Sequence, residues 1–152
     1  MQLMLKYPPT PEAAPRHAAL CVSAALVLHD VPLDYSIESL GRLDGLIELL
    51  REQGLTSADL SEVLFTFGCY VGEVLVRHAG GRWCLTEGAL QEGDVGLALA
   101  VQLAPRLYCN PVGKVFKRLE LGAEHDLPGF YSRSISLQAP GAAEHPAPAV
   151  WN

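Results

Sequence analysis

The sequence has no excess of basic residues. Its 11 lysines and arginines are outnumbered by 17 aspartates and glutamates, so the formal net charge is −6 and the isoelectric point is about 5.3. General nucleic-acid binders need a basic surface, because the release of counterions from phosphates supplies much of their affinity. The composition therefore argues against nucleic acid as a partner and is compatible with a basic protein partner.

The sequence also lacks a hydrophobic run long enough to span a membrane. Residues 18–28 form a largely apolar run of 11 residues, whereas a membrane-spanning helix needs about 20. The N-terminal stretch has one lysine and then four prolines up to position 15, which does not resemble a signal peptide. We therefore expect a cytoplasmic protein without membrane segments.

Close-spaced cysteine pairs are missing as well. The four cysteines are Cys21, Cys69, Cys84 and Cys109. We interpret them as reduced thiols of a cytosolic protein, although an even number in a secreted protein would also allow disulfides. His78, Cys84 and Cys109 could converge, but zinc sites commonly draw their ligands from close-spaced pairs. The sequence predicts no metal and no cofactor.

Motifs of nucleophilic and phosphate-binding enzymes are absent too. The chain contains no GxSxG, no Walker A motif and no dinucleotide fingerprint. Cys69 and His78 lie in one predicted helix at a separation of about 13 Å, given a rise of about 1.5 Å per residue, so they cannot touch. The sequence predicts no catalytic residue.

What is present indicates one globular domain. The 152 residues are 49% hydrophobic and 18% charged, which is enough to build a core. Prolines 8, 9 and 11 disfavour helix at the start of the chain, and the end is rich in proline and alanine. We predict an extended N-terminal arm at 1–11, a single globular α+β domain at 12–137 and a flexible tail at 138–152.

The first half of this domain predicts three helices, at about residues 12–29, 36–53 and 56–79. Pro15 fits the first turn of the first helix, where a missing N–H is harmless. Gly80, followed by a second glycine, stops the third helix. The predicted N-terminal caps are Ser36 and the capping-box pair Thr56 and Asp59.

The third predicted helix is apolar on two faces. A helix with two apolar faces packs against two neighbours, and glycines on one of them let another element approach closely. The first face carries Leu60, Leu64, Phe67, Val71 and Val74. The second carries Gly68, Gly72 and Val76.

The periodicity changes after this helix. Residues 82–85, 95–103 and 106–110 are rich in β-formers and predict two or three strands. Pro105 cannot donate to a ladder, so it marks a turn or an edge.

A helix follows these strands, with Asn110 as its cap, Pro111 as its first residue and Gly122 at its end. A last short helix is predicted from about Asp126 through Tyr131. The fold class is therefore α+β: three N-terminal helices, a small antiparallel sheet of two or three strands, and one or two C-terminal helices.

Glu73 is the only carboxylate in the apolar part of the third helix. At about 100° per residue it shares a polar stripe with Glu62, Thr66 and Arg77. The favoured interpretation is an outward-facing ion pair, solvated or half-buried, with Arg77 one turn along. The alternative is a general base or ligand anchor in a cleft that Trp83 and Tyr70 would cover.

A basic cluster is predicted on the outer face of the fourth helix, and consists of Lys114, Lys117 and Arg118. The favoured interpretation is a solvated helix face. The alternative is a binding surface for an acidic partner. An acidic, glycine-rich loop at about 87–94 could instead meet a basic partner.

Three stretches, "LDYSIESLGRLD", "GCYVGEVLVRHAGGRW" and "NPVGKVFKRLELG…L…FY", resemble a loose group of small uncharacterised bacterial proteins over about residues 33–131. The resemblance implies a common fold and assigns no catalytic role. Such small acidic domains are often interaction partners, including immunity proteins that block toxins, which is an analogy at the level of the fold. The motif positions are Gly68, Tyr70, Gly72, Glu73, Gly80, Gly81 and Trp83.

Three functional hypotheses follow. The first is a non-enzymatic bacterial protein that binds another protein, as an immunity or secretion-accessory factor whose partner is a basic toxin or effector. The second is a small-molecule binder or enzyme with a pocket around Glu73 and Trp83, including Tyr70 and Arg77. The third is a homodimer packed through the two-faced third helix.

Overall fold

The computed structural model describes residues 5–85, 99–139 and 149–151, the last of these only as backbone. The helices are α1 (Ala14–His29), α2 (Ser39–Glu52), α3 (Ser61–Ala79), α4 (Pro111–Leu121) and α5 (Leu127–Gln138). A 3-10 turn at Ala123–His125 joins α4 to α5. The strands are β1 (Arg82–Leu85), β2 (Leu99–Ala104), β3 (Leu107–Cys109) and β4 (Ala149–Trp151). The predicted α+β class is confirmed.

Local capping explains three of the helix ends. The Asn110 side chain accepts a hydrogen bond from the Gly113 amide at 2.9 Å and starts α4, and Asp126 does the same for the Gly129 amide at 2.8 Å at the start of α5. Gly80 ends α3 in the left-handed region, with φ of 70°. These three predictions from sequence are confirmed, because caps depend on neighbouring residues alone.

Three predicted helix boundaries were wrong. The second helix was predicted to start at a Ser36 cap, but α2 begins at Ser39, although the Ser36 hydroxyl oxygen does accept the Ser39 amide at 3.1 Å. Asp59 and Thr56 do form a reciprocal capping pair, in which the Thr56 hydroxyl donates to the Asp59 carboxylate at 2.7 Å. The residues after Thr56 nevertheless form a turn, and α3 begins only at Ser61. The last helix runs to Gln138 rather than Tyr131. Its end is held by Gln138, which belongs to the helix and not to the predicted tail.

The N-terminal arm is described from Leu5 onward, as bends and turns that lead into α1. His17 on α1 holds it, since its Nε2 lies 3.0 Å from the Pro8 carbonyl oxygen. The His17 ring also meets Tyr7 and Phe65 edge-on. The predicted acidic loop at 87–94, the first four residues of the predicted 95–103 strand and tail residues 140–148 lie outside the described residues.

The sheet has the strand order β1-β2-β3-β4. The first three strands are antiparallel, as predicted, and β4 pairs in parallel with β3. Proline at 105 lies in the tight connection between β2 and β3. The prediction of two or three strands missed β4, because a three-residue strand in a proline-rich segment has no periodicity of its own.

The long helix α3 lies at the centre of the core. It packs against α1 on one side and α4 on another, while β1 and β2 contact its C-terminal half. Gly68 lies directly against the backbone and side chain of Val112 on α4, with no room for a Cβ. The predicted packing of α3 against two neighbours is confirmed.

Candidate functional site

Glu73 is buried, with only 5% of its surface exposed. Its Oε1 accepts a hydrogen bond of 2.8 Å from the Trp83 indole nitrogen, and its Oε2 lies 3.4 Å from Nε of Arg77. The predicted ion pair with Arg77 is present. The predicted outward orientation was wrong, because Trp83 on β1 covers the carboxylate.

The orientation predicted for the polar stripe of α3 is nevertheless supported by the three other residues of that stripe. Glu62 and Thr66 are half-buried and Arg77 is exposed, so the stripe is the more open side of α3. Trp83 reaches Glu73 because Gly72 has no side chain: the indole ring occupies the space that a Cβ there would need. Burial of Glu73 is therefore a tertiary effect imposed by β1.

Arg77 connects Glu73 to a second group of aromatic side chains. Its guanidinium carbon lies 3.6 Å from the centroid of the Tyr35 ring, a close cation–π contact. The Tyr35 ring stacks in turn on Tyr70, with ring centroids 4.9 Å apart. About half of the Arg77 side chain is exposed, so its ion pair with Glu73 is screened by solvent.

Tyr70 is completely buried and contacts a different part of the chain from Trp83. Its hydroxyl accepts a hydrogen bond from the Tyr35 amide at 2.8 Å and lies 2.6 Å from the Ser39 hydroxyl. Burial raises the pKa of this phenol. Tyr70 fixes the segment before α2 onto α3. Among the described residues, Tyr70 and Trp83 contact different parts of the chain and do not cover one cleft together.

Sequence analysis missed Tyr35, which links these groups. Its backbone is left-handed, with φ of 64°, and its carbonyl oxygen lies 2.8 Å from Nε2 of His78. A non-glycine residue in this region is uncommon and is held there by its surroundings. Tyr35 lies in a short polar segment before α2. This segment has no helical or strand periodicity, so the sequence did not indicate the role of Tyr35.

The Glu73 carboxylate joins α3 to β1. Its Oε1 accepts the Trp83 indole N–H at 2.8 Å, and its Oε2 accepts a longer hydrogen bond from Arg77 at 3.4 Å. Burial and the nearby Glu73 charge raise the pKa of the Cys69 thiol, which keeps it protonated and unreactive.

The three residues of the basic cluster predicted on α4 have different surroundings in the structure. Arg118 is only 3% exposed, and it donates to Asp44 at 3.0 Å and to Glu48 at 2.7 Å. Asp44 also accepts the Leu127 amide at 2.9 Å, which ties α2, α4 and α5 together. The predicted outward orientation of Arg118 was wrong, because α2 covers this side of α4.

Lys114 is buried as well, at 3% exposure, which also contradicts the predicted solvated face. Its Nζ lies 3.0 Å from Nδ1 of His125 and 5.9 Å from the centroid of the Phe130 ring. Burial, with the nearby charges of Arg133 and Lys117, lowers the pKa of Lys114 to about 8. Lys117 is half-buried.

Two open grooves are formed by described residues. A groove of about 360 Å³ lies between the C-terminal end of α1 and α2. A second, of about 470 Å³, lies beside β1 and β2. Neither is lined by Glu73 or Trp83. The first groove is lined by His29, Asp30, Val31, Pro32, Arg42, Gly45, Leu46 and Leu49.

The last turn of α1, next to the first groove, exposes large apolar side chains. Val27 is 79% exposed and Leu28 is 72% exposed. On α2, Leu49 lines the groove and is also exposed. Val27 and Leu28 directly precede His29, which lines the groove. Exposed apolar patches next to a groove can mark interaction sites. We call Val27, Leu28 and Leu49 the α1–α2 apolar patch.

Comparison of the chain with protein-family models, with curated proteins and with solved structures gives no match in any of the three. None of the helices in the described ranges is long and apolar enough to cross a membrane. Within those same ranges, histidine, cysteine, aspartate and glutamate side chains form no group of three that could hold a metal ion.

Proposed function

We propose that this chain is a non-enzymatic protein-binding domain of a bacterial cytoplasmic protein. Its role is that of an immunity or secretion-accessory factor, and its partner is a basic toxin or secreted effector. The α1–α2 apolar patch carries the proposal, because large exposed apolar side chains next to a groove cost solubility unless a partner covers them.

The charge of the chain defines the kind of partner. A net charge of −6 favours encounter with a basic surface. The groove itself is largely apolar, with Asp30 and Arg42 at its polar edge. The guanidinium of Arg42 donates to the Pro32 carbonyl oxygen at 3.2 Å, so part of its hydrogen-bonding capacity is used within the chain. The expected partner places one or two apolar side chains in the groove and surrounds them with lysine or arginine.

The alternative of a small-molecule pocket around Glu73 and Trp83 has less support. The Glu73 carboxylate is engaged by Trp83 and Arg77, and the phenol of Tyr70 is engaged by the backbone and by Ser39. A ligand would have to break these contacts before it could bind.

Affinity capture from the native host, with the double variant Val27→Ser/Leu28→Ser, tests the proposal. We expect the wild-type chain to capture a basic protein, and the variant to bind it about tenfold or more weakly, because burying each large apolar side chain contributes about 1.5–3 kcal/mol. Binding should also weaken with added salt. Leu121→Ser is the matched control, since Leu121 is comparably exposed at a different place on the surface.

Three results would contradict the proposal. One is a set of captured proteins that is the same for the wild-type chain and the double variant. Another is a captured protein that is neither a toxin nor a secreted effector, which would remove the specific role. The third is a homodimer, measured by light scattering, that Val27→Ser/Leu28→Ser converts to monomer, because the patch would then be covered by a second copy.

A further inference from the structure

The outer face of α2 carries two exposed glycines that the packing of the chain does not explain. Gly41 lies in the first turn of α2 and Gly45 lies one turn later. A Cβ at either position would meet no described atom within 4 Å, whereas Gly72 on α3 lies directly against Trp83. Glycine in a helix is less favourable than alanine, because its backbone loses more entropy on folding. The two glycines therefore weaken α2 without allowing a close contact among the described residues.

The same face of α2 forms one wall of the groove between α1 and α2. Gly45 and Leu49 line this wall one turn apart, and Val31 and Pro32 line the groove from the segment after α1. With Gly41 one turn earlier, the backbone of α2 is uncovered on this face over two successive turns. Helix axes pack about 8–10 Å apart, depending on the side chains at the contact. The face therefore allows a second helix to approach closely.

Carboxylates lie at both ends of this face. Glu38 directly precedes α2 and Glu52 is its last residue, and both are exposed. At about 100° per residue, each lies within about 20° of the direction of Gly45. At about 1.5 Å per residue, the two positions are about 21 Å apart along the helix axis. Asp30 lines the groove between them, and none of these three carboxylates forms a salt bridge with a described residue.

The basic residues near the groove do not balance these carboxylates. Arg42 and His29 line the groove. The Arg42 guanidinium donates to a backbone carbonyl oxygen at 3.2 Å and also interacts with the Asp34 carboxylate. Arg51, farther round α2, is paired with Glu48. Even with His29 counted as charged, two cations lie among four carboxylates, namely Asp34 and the three named above. The surroundings of the groove are therefore complementary to a basic ligand.

We propose that the partner docks an amphipathic, basic helix in the groove between α1 and α2. This inference rests on the proposed function, because it specifies which part of the basic partner covers the α1–α2 apolar patch. The apolar stripe of the helix lies against Leu49, Val31 and the two glycines. Lysine or arginine side chains about 14 residues apart on that helix reach Glu38 and Glu52. Helices are recognised in such grooves through anchors at every third or fourth residue.

A synthetic peptide is the probe for this groove. It consists of leucine and lysine only, is about 18 residues long and places its leucines on one face of a helix. A second peptide has the same composition in an order that gives no apolar face. We expect the wild-type chain to bind the amphipathic peptide about tenfold or more tightly than the reordered one, because only the former buries a continuous apolar stripe. Fluorescence anisotropy of the labelled peptides measures the affinities, and circular dichroism measures the helix formed on binding.

Gly45→Gln separates docking from folding. Glutamine is a good helix former, and a Cβ at this position meets no described atom within 4 Å, so the free energy of unfolding should be unchanged or higher. The added side chain occupies the wall of the groove. Binding of the amphipathic peptide should therefore weaken about tenfold or more, as expected for an overfilled contact. Ser132→Gln, at an exposed position on α5, is the matched control and should leave peptide binding unchanged.

The double variant Glu38→Gln/Glu52→Gln tests the charges at the two ends. It should weaken binding of the amphipathic peptide about threefold to tenfold at low salt, and the remaining binding should respond less to added salt. Glu12→Gln/Glu120→Gln removes two other exposed carboxylates and changes the net charge by the same amount. If the end charges matter by position, this control should change binding by less than about twofold.

Four results would overturn the helix site. The first two are equal affinity for the two peptides and equal affinity of the wild-type chain and Gly45→Gln for the amphipathic peptide. The third is a dimer of this chain that Gly45→Gln dissociates, because a second copy would then occupy the groove. The fourth is a captured basic partner that requires Val27 and Leu28 but binds Gly45→Gln normally, which leaves the proposed function in place. Loss of peptide binding in Gly45→Gln, together with a captured partner that is neither toxin nor effector, supports the helix site and removes only the proposed role.

Discussion

The indole ring of Trp83 lies in the space that a side chain at Gly72 would occupy. This relationship joins the central helix α3 to strand β1, which follows it in the chain. It also brings the indole N–H to the buried carboxylate next to Gly72, so that one residue without a side chain allows both the packing contact and the hydrogen bond.

Gly72→Ala should therefore destabilise the protein strongly. The added methyl group has to displace an aromatic ring in a packed core, which typically costs about 1–3 kcal/mol. The free energy of unfolding in urea, with intrinsic tryptophan fluorescence as the signal, measures the effect. Gly45→Ala on α2 is the control: a Cβ there meets nothing within 4 Å, and alanine in a helix is favoured over glycine by about 0.5–1 kcal/mol. Equal effects of the two changes would contradict this account.

Trp83→Phe should lower the free energy of unfolding by more than the smaller size of the phenyl ring alone would. The phenyl ring keeps most of the packing against α3 but removes the N–H donor, which leaves Oε1 of Glu73 buried without that partner. An unsatisfied buried group of this kind costs about 1–3 kcal/mol. Chemical unfolding of the single and double variants measures it. In a Glu73→Leu background the same change should be much milder, and an identical cost in both backgrounds would rule out the hydrogen bond as the cause.

Arg118→Met should lower the free energy of unfolding by about 2–4 kcal/mol. It removes the cation that joins α2 to α4 and leaves Asp44 without its partner, and breaking a buried ionic group in this way is strongly destabilising. Arg51→Met is the matched control, because Arg51 pairs with Glu48 at the surface, at 3.6 Å and with 41% of its side chain exposed. That variant should change stability little, as surface pairs do. Thermal unfolding at low and high salt compares the stabilities of the two variants. Similar losses of stability in both would argue against a buried network around Arg118.

Lys114→Met should remove a pH dependence of stability. The pKa of Lys114 is lowered from its ordinary value of 10.5 to about 8 in the folded chain, so between these values the unfolded chain binds more protons than the folded one. Stability contributed by this group therefore rises with pH from about 8 to 10.5, and its penalty is complete below pH 8. The difference in unfolding free energy between the variant and the wild-type chain should favour the variant at pH 7 and shrink as the pH approaches 10.5. A difference that is constant across this range would contradict the lowered pKa.

Sequence reasoning predicted the elements of this fold because their signals are local. Asn110 and Asp126 cap helices through residues three positions away, and Gly80 ends α3 through its own backbone. Those interactions depend on spacing, which can be counted along the chain. The start of α3 was one exception, since the Thr56 capping pair closes a turn rather than a helix. The end of α5 and the strand β4 were also missed.

The surroundings of the charged residues could not be predicted in the same way. Helical periodicity correctly put Glu73 on the more open stripe of α3, but the residue that covers it comes from a strand beyond the helix. The partners of Arg118 lie on α2, with Glu48 70 positions earlier in the chain. Burial of a charge is decided by such distant contacts, which periodicity does not encode.

The position of α3 between two helices has a consequence for synthesis on the ribosome. The first three helices emerge together, and α1 can cover one face of α3 at once. The face that carries Gly68 has to wait until the sheet and then α4 have been translated. During that interval the nascent chain exposes an uncovered apolar surface. Such a surface promotes aggregation unless a chaperone binds it.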